Sequence, residues 1–114
     1  MNVQQVAVRD VAALLARLPP GSEPVLLDVR EPWEVQRAAL SMEGVRTVCI
    51  PLQQVPQRLG ELAPSQPILG LCHHGVRSLQ AISFLAQQGY GSLYNITGGI
   101  DAWAREVDTS VPTY

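Results

Sequence analysis

The sequence predicts an α/β fold: an open, mostly parallel five-stranded sheet with helices on both faces. Two observations carry this reading. Short apolar runs alternate with amphipathic stretches along nearly the whole chain, and that alternation builds a parallel sheet with crossover helices. The run at residues 25–29, VLLDV, is apolar almost throughout, as a strand covered on both faces requires. The 114 residues suffice to bury a core, and 46% hydrophobic against 16% charged residues places the chain among globular proteins. No internal repeat, low-complexity tract or linker interrupts it, so residues 1–114 are read as one domain.

The elements follow in order. Residues 3–6 form a short first strand. Asp10 caps a helix that carries Val11, Leu14, Leu15 and Leu18 at helical spacing, and Pro19, Pro20 and Gly21 stop it. After the strand at 25–29, residues 31–40 make a short helix with Pro32 in its first turn. Residues 45–50 form the next strand, ended by Pro51, and residues 55–62 a weaker helix that Pro64 and Pro67 terminate. PILGL, residues 67–71, is a short buried strand that ends at Cys72. Residues 78–88 carry Leu79, Ile82, Phe84 and Leu85 on a helix closed by Gly89. Residues 93–96 are the last strand, Gly98 and Gly99 a turn, residues 100–105 the last helix, and residues 108–114 an irregular tail. Trp33 and Trp103 are expected to pack.

A net charge of -2 gives no electrostatic footprint for nucleic acid or an anionic membrane, and no apolar run has the length of a membrane span. The opening MNVQQVAVRD has neither a basic n-region nor an apolar h-region, so no signal peptide is expected. A cytoplasmic setting with Cys49 and Cys72 as free thiols is the simplest expectation. Cys49 lies mid-strand between Val48 and Ile50 and is expected to be an inert core residue.

Cys72 is different. The segment Cys72-His73-His74-Gly75-Val76-Arg77-Ser78 takes a strand end into a loop and then a helix. In open α/β sheets, sites lie at such strand ends. Gly75 permits a backbone that other residues resist, so successive N–H groups can turn inward as an anion-binding nest. The following helix N-terminus adds partial positive charge, and Arg77 a full one. All three favour thiolate over thiol, so Cys72 is expected to be a nucleophile rather than a buried packing residue. His73 and His74 invite a metal reading. Three adjacent side chains do not converge on one ion, and no second ligand cluster is evident, so no metal is expected. Asp28 and Arg30 are expected to support the site as a buried ion pair, with donor binding the alternative.

Cys-x-x-Gly-x-Arg-Ser on a strand–loop–helix resembles the active-site loop of rhodanese-like domains, specifically the single-domain members of the thiosulfate sulfurtransferase family. LLDVREPWE at residues 26–34, VCIPL at 48–52 and GYGSLYNITGGIDAW at 89–103 are similar to further stretches of that family, in the same order. One stretch departs: many members carry Gly-His-Ile-x-Gly-Ala where this chain has Ala39-Leu40-Ser41-Met42-Glu43-Gly44-Val45, so the role of the missing histidine has no counterpart here. The resemblance implies a three-layer α/β/α rhodanese-like fold with strand order 3-2-4-5-1, which puts Cys72 on the central strand. It implies a sulfurtransferase in which Cys72 takes sulfane sulfur from thiosulfate or a similar donor, becomes a persulfide, and passes the sulfur to cyanide, a thiol or a protein cysteine. Cys72 and Arg77 are then catalytic. His73, His74, Gly75, Val76 and Ser78 form the substrate-binding loop, and no cofactor is required.

Other readings compete. Cysteine phosphatases of related architecture have a Cys-x5-Arg loop, whereas this one is Cys-x4-Arg and better sized for a persulfide than for phosphate. Mercaptopyruvate-type enzymes usually show Cys-Gly-Ser-Gly-Val-Thr; Arg77-Ser78 in place of the Val-Thr end favours an inorganic, more highly charged donor. Rhodanese-like domains without the cysteine serve as binding or regulatory modules, and Cys72 argues against that role.

Overall fold

The computed structural model describes residues 3–114. Its sheet consists of β1 (Val3–Ala7), β2 (Val25–Asp28), β3 (Arg46–Cys49), β4 (Ile68–Leu71) and β5 (Leu93–Thr97). The order across the sheet is β1-β5-β4-β2-β3, the expected 3-2-4-5-1 read from the other edge. Every pairing is parallel, so the mostly parallel sheet is parallel throughout its described strands. The helices are α1 (Val11–Arg17), α2 (Pro32–Arg37), α3 (Val76–Gln87) and α4 (Gly99–Glu106).

Two apolar clusters lie one on each face of the sheet, which gives the three layers. On one face Val25, Leu27, Val48, Ile50, Ile68 and Leu93 pack with Ala81, Ile82 and Leu85 of α3. On the other, Leu26, Leu69, Leu71, Tyr94 and Ile96 meet Val11 and Leu14 of α1 and Ile100 of α4. Strands β2 and β4 are buried at every position, the reason their sequences read as unbroken apolar runs. The segment where the family's histidine stretch is missing contributes Leu40, 7% exposed, to the second cluster.

Several expectations change. Asp10 makes no side-chain cap; it sits in a 3-10 turn, Val8–Asp10, that runs directly into α1. Helix α2 ends at Arg37, because Ala38 turns extended at φ -160° and ψ 136°. The weaker helix at 55–62 is 3-10 structure instead, Leu52–Gln54 and Pro56–Glu61, with a kink at Arg58. Pro51 and Pro56 remove N–H donors that an α-helix across this region needs. Helix α3 begins at Val76, two residues earlier than expected, and α4 at Gly99. Trp33 is 58% exposed rather than packed.

Cys49 is also corrected: it is exposed, not core. β3 is an edge strand, and of its four residues Val48 alone is buried. Cys49 is in register with Asp28, which is in turn in register with Leu71. Cys72, one residue further on, packs with Val48 and Ile50 on the opposite face. The parity of the strands therefore separates the two thiols across the sheet.

Candidate active site

β4 lies between β5 and β2, and the chain leaves its carboxyl end at Cys72, which is 1% exposed. The polypeptide then turns back over the sulfur. Gly75 adopts φ 103° and ψ -5°, a left-handed conformation that a side chain would strain, and serves as N-cap of α3. In that turn the Gly75 N–H donates to Cys72 Sγ at 3.0 Å. Val76, Arg77 and Ser78 are the first residues of α3, so their amides have no intrahelical carbonyl to serve and carry the positive end of the helix dipole. The thiol thus accepts from the Gly75 N–H next to the N-terminus of α3.

A second helix N-terminus holds the loop from below. The Ile100 N–H donates to the Cys72 carbonyl at 2.9 Å, and the Asp101 N–H to the His73 carbonyl at 3.1 Å. Gly99 makes this approach possible: its φ is +61°, and a Cβ there would run into the carbonyl oxygens of Cys72 and His73. Gly99 is thus more than a turn residue. Asn95 of β5 fixes the other side, donating to the Gly75 carbonyl at 3.1 Å and to Gln5 Oε1 at 2.9 Å.

Beside the loop runs a chain of alternating charges. Arg30 donates through Nε and NH2 to the two oxygens of Asp28, at 2.9 and 2.7 Å, and both residues are buried. Burial works against the Arg30 guanidinium, but hydrogen bonds to Asp28 and then Tyr114 overcome it, so its pKa is raised. Arg30 NH1 also donates to the Tyr114 hydroxyl at 3.1 Å, which donates in turn to Glu34 Oε2 at 2.9 Å. Glu34 receives the Arg77 fork, NH1 to Oε1 at 2.7 Å and NH2 to Oε2 at 2.8 Å, and Oε1 accepts a fourth bond from the Glu31 N–H at 3.1 Å. Glu34 is 3% exposed and fully bonded. The Arg77 hydrogen bonds hold its carboxyl down at about 2, against the upward push of burial.

Tyr114 brings the irregular tail onto the site. Its ring stacks on His73 at 4.0 Å and 7°, and Trp33 meets it edge-on at 6.2 Å. His73 also stacks on His74 at 4.0 Å and 29°, and its Nε2 is buried without a hydrogen-bond partner. Burial, then the charge of His74, pushes the His73 pKa down, which favours a neutral ring. Helix α4 adds Asp101 to this corner, so that one ligand atom each from His73, His74 and Asp101 lies within 4.8 Å of the others. The expectation that no further ligand joins these histidines is corrected on that point. The set suits an ion poorly all the same. Stacked rings aim their in-plane lone pairs side by side rather than at one centre, and Asp101 already holds Arg105 at 3.1 Å.

The loop sequence, the all-parallel order and the buttressed cysteine coincide with a family match: residues 10–106 match the Rhodanese family, described as the rhodanese-like domain. The chain belongs to the rhodanese-like family. A sulfurtransferase of Allochromatium vinosum is 34% identical over 96 residues, covering 84% of this chain and 86% of that protein. The thiosulfate sulfurtransferase GlpE of Vibrio cholerae is 31% identical over 80 residues, 70% of this chain and 72% of the relative. Rhodanese-like/PpiC domain-containing protein 12 of Arabidopsis thaliana is 43% identical over 96 residues; the match takes in 81% of this chain but only 31% of that longer protein. In structure, the single-domain sulfurtransferase RDL2 of Saccharomyces cerevisiae matches with a TM-score of 0.71 over 97% of this chain and 96% of its own, at 23% identity, a likeness of fold.

Within this rhodanese-like site the expected residues are placed unequally. Cys72, His73, His74, Gly75, Val76 and Arg77 all lie in the loop or at the start of α3. The Ser78 side chain is turned inward: it is 0% exposed and its hydroxyl donates to Asn95 Oδ1 at 2.5 Å, tying α3 to β5. Asp28 and Arg30 form the buried pair, one element removed from the sulfur. Arg77, expected to add a full positive charge to the loop, is forked onto Glu34. Glu34, Asn95, Gly99 and Tyr114 escaped the sequence reading. Glu34 left a local trace, as the residue three places after Glu31 that accepts a bond from the helix start.

Proposed function

We propose that this rhodanese-like chain is a sulfurtransferase that carries sulfane sulfur as a persulfide on Cys72. The observation that supports it most is the Gly75 N–H bond to Cys72 Sγ beneath the first amides of α3. With thiosulfate as donor, the Cys72 thiolate attacks the outer sulfur, the S–S bond of thiosulfate breaks, and sulfite leaves with the bonding electron pair. The product is Cys72–S–S⁻. Its terminal sulfur occupies the space under the amide cap, where N–H donors and the helix dipole stabilise negative charge at no reorganisation cost. Cyanide or a thiolate, including a cysteine of an acceptor protein, then attacks the terminal sulfur and regenerates the Cys72 thiolate. The cycle needs no cofactor, and we place it in the cytoplasm. Four residues between Cys72 and Arg77 make a tighter ring than the five of the phosphatase loop, which suits one sulfur atom better than a phosphoryl group with its oxygens.

The test is intact-mass spectrometry with peptide mapping. Thiosulfate alone should add one sulfur atom to Cys72, and cyanide should remove it with an equal amount of thiocyanate formed. A folded Cys72→Ser protein should do neither. Retention of sulfur on Cys49 alone, or turnover of an aryl phosphate without any persulfide, would overturn this function.

A further inference from the structure

The three arginines tied to the loop network each have a carboxylate partner: Arg30 with Asp28, Arg77 with Glu34, and Arg105 with Asp101. The pairing at Arg77 is the closest to the chemistry, since its guanidinium lies within electrostatic reach of Cys72. It is also bidentate. Both terminal nitrogens of Arg77 are committed to the two oxygens of one carboxylate, at 2.7 and 2.8 Å, and that carboxylate is buried and held from two further sides by Glu31 and Tyr114. A fork of this kind is geometrically stiff, so the guanidinium cannot swing to a ligand without leaving an unpaired buried charge behind. The Arg77 charge near Cys72 is therefore shared with a buried carboxylate, so the full charge that the Cys-x4-Arg sequence promises is offset locally beside the dipole of α3.

From this we infer that Glu34 is a specificity-determining residue that limits the site's use of doubly charged donors and leaves it suited to singly charged ones, organic thiosulfonates and hydropersulfides. This rests on Cys72 being the sulfur carrier. With a thiosulfonate the step is balanced in the same way as with thiosulfate: the Cys72 thiolate attacks the terminal sulfur, the S–S bond breaks, and a sulfinate leaves with the electron pair. The attacking thiolate, the attacked sulfur and the S–S bond broken are the same in both cases; the donors differ in the organic group and in one unit of charge. A site holding a free Arg77 would reward that extra charge; a site holding the Arg77–Glu34 pair does not.

The experiment compares thiosulfate with benzenethiosulfonate in the native protein and in Glu34→Gln, which keeps an acceptor for the Glu31 amide while removing the charge. Releasing Arg77 should raise kcat/KM by about threefold per unit of donor charge, the scale of a partly exposed ion pair: about threefold for benzenethiosulfonate and about tenfold for thiosulfate, mostly through KM. The preference between donors thus shifts toward thiosulfate. The double variant Glu34→Gln/Arg77→Gln should return the donor ratio to that of the native protein, which a merely structural role of Glu34 would not produce. Equal changes for both donors, or a loss for both that the double variant shares, overturns the assignment of Glu34. Mass spectrometry on the same native sample separates the two levels of the argument. A Cys72 persulfide with an unshifted donor ratio refutes only the role of Glu34, whereas no persulfide from either donor refutes the carrier reading and this inference with it.

Discussion

Replacing Gly99 with alanine should weaken both the fold and the sulfur-transfer activity, and the size of the effect follows from the geometry. Gly99 has φ +61°, where an alanine Cβ costs about 1 kcal/mol. The new Cβ would meet the carbonyl oxygens of Cys72 and His73, so helix α4 or the loop must withdraw. Either movement lengthens two hydrogen bonds, Ile100 N–H to Cys72 O at 2.9 Å and Asp101 N–H to His73 O at 3.1 Å. Each contributes about 1 kcal/mol, so the total is about 3 kcal/mol. The loop that presents the amides moves with its carbonyls, so kcat/KM should fall about tenfold or more in the protein that remains folded. Urea denaturation followed by circular dichroism gives the first quantity, and thiosulfate:cyanide kinetics well below the transition gives the second. Gly60→Ala and Gly91→Ala are internal controls, because a Cβ at either meets nothing within 4 Å. Both should stay within about 0.5 kcal/mol of the parent. Gly99→Ala within that same margin, with unchanged kinetics, would refute the idea that α4 buttresses the loop.

Three further outcomes follow from the same structure. Cys49→Ala should keep most of the activity, since Cys49 faces away from Cys72; burial, then the charge of Asp28, pushes the Cys49 thiol up, so iodoacetamide mapping at neutral pH should find it slow to react. Loss of turnover in folded Cys49→Ala would place it in the sulfur path. Ser78→Ala should cost about 1–3 kcal/mol by leaving Asn95 Oδ1 unpaired, with KM for donors little changed; a KM effect without destabilisation would return Ser78 to the substrate. Glu34, held near 2 when folded against an ordinary value near 4.5, stabilises the protein fully above that ordinary value and loses its contribution as pH falls from there through about 2. The full amount is about 3 kcal/mol at most, so urea melts stepped from pH 6 to pH 2 should show a shallower loss of stability in Glu34→Gln than in the parent, and parallel curves would contradict the Arg77–Glu34 fork.

The sequence by itself determined the layered parallel architecture, because VLLDV and PILGL are apolar at almost every position and only a strand buried on both faces tolerates that. It also determined the turn over Cys72, since a cysteine at a strand end, a glycine three residues on and a helix start are local features that curl the chain back above the sulfur. Cys49 was misjudged because period two tells which residues share a face, but not whether that strand is central or at the edge. Tertiary structure alone decided the partners. Arg77 and Glu34 are 43 residues apart, Tyr114 and Glu34 80 residues apart, and the amides that hold the loop belong to a helix that begins 27 residues after Cys72. A hydrogen-bond donor in a sequence has no acceptor until the chain folds. The charge that Arg77 brings to the site was legible from its position; its pairing with a buried carboxylate on another helix was not.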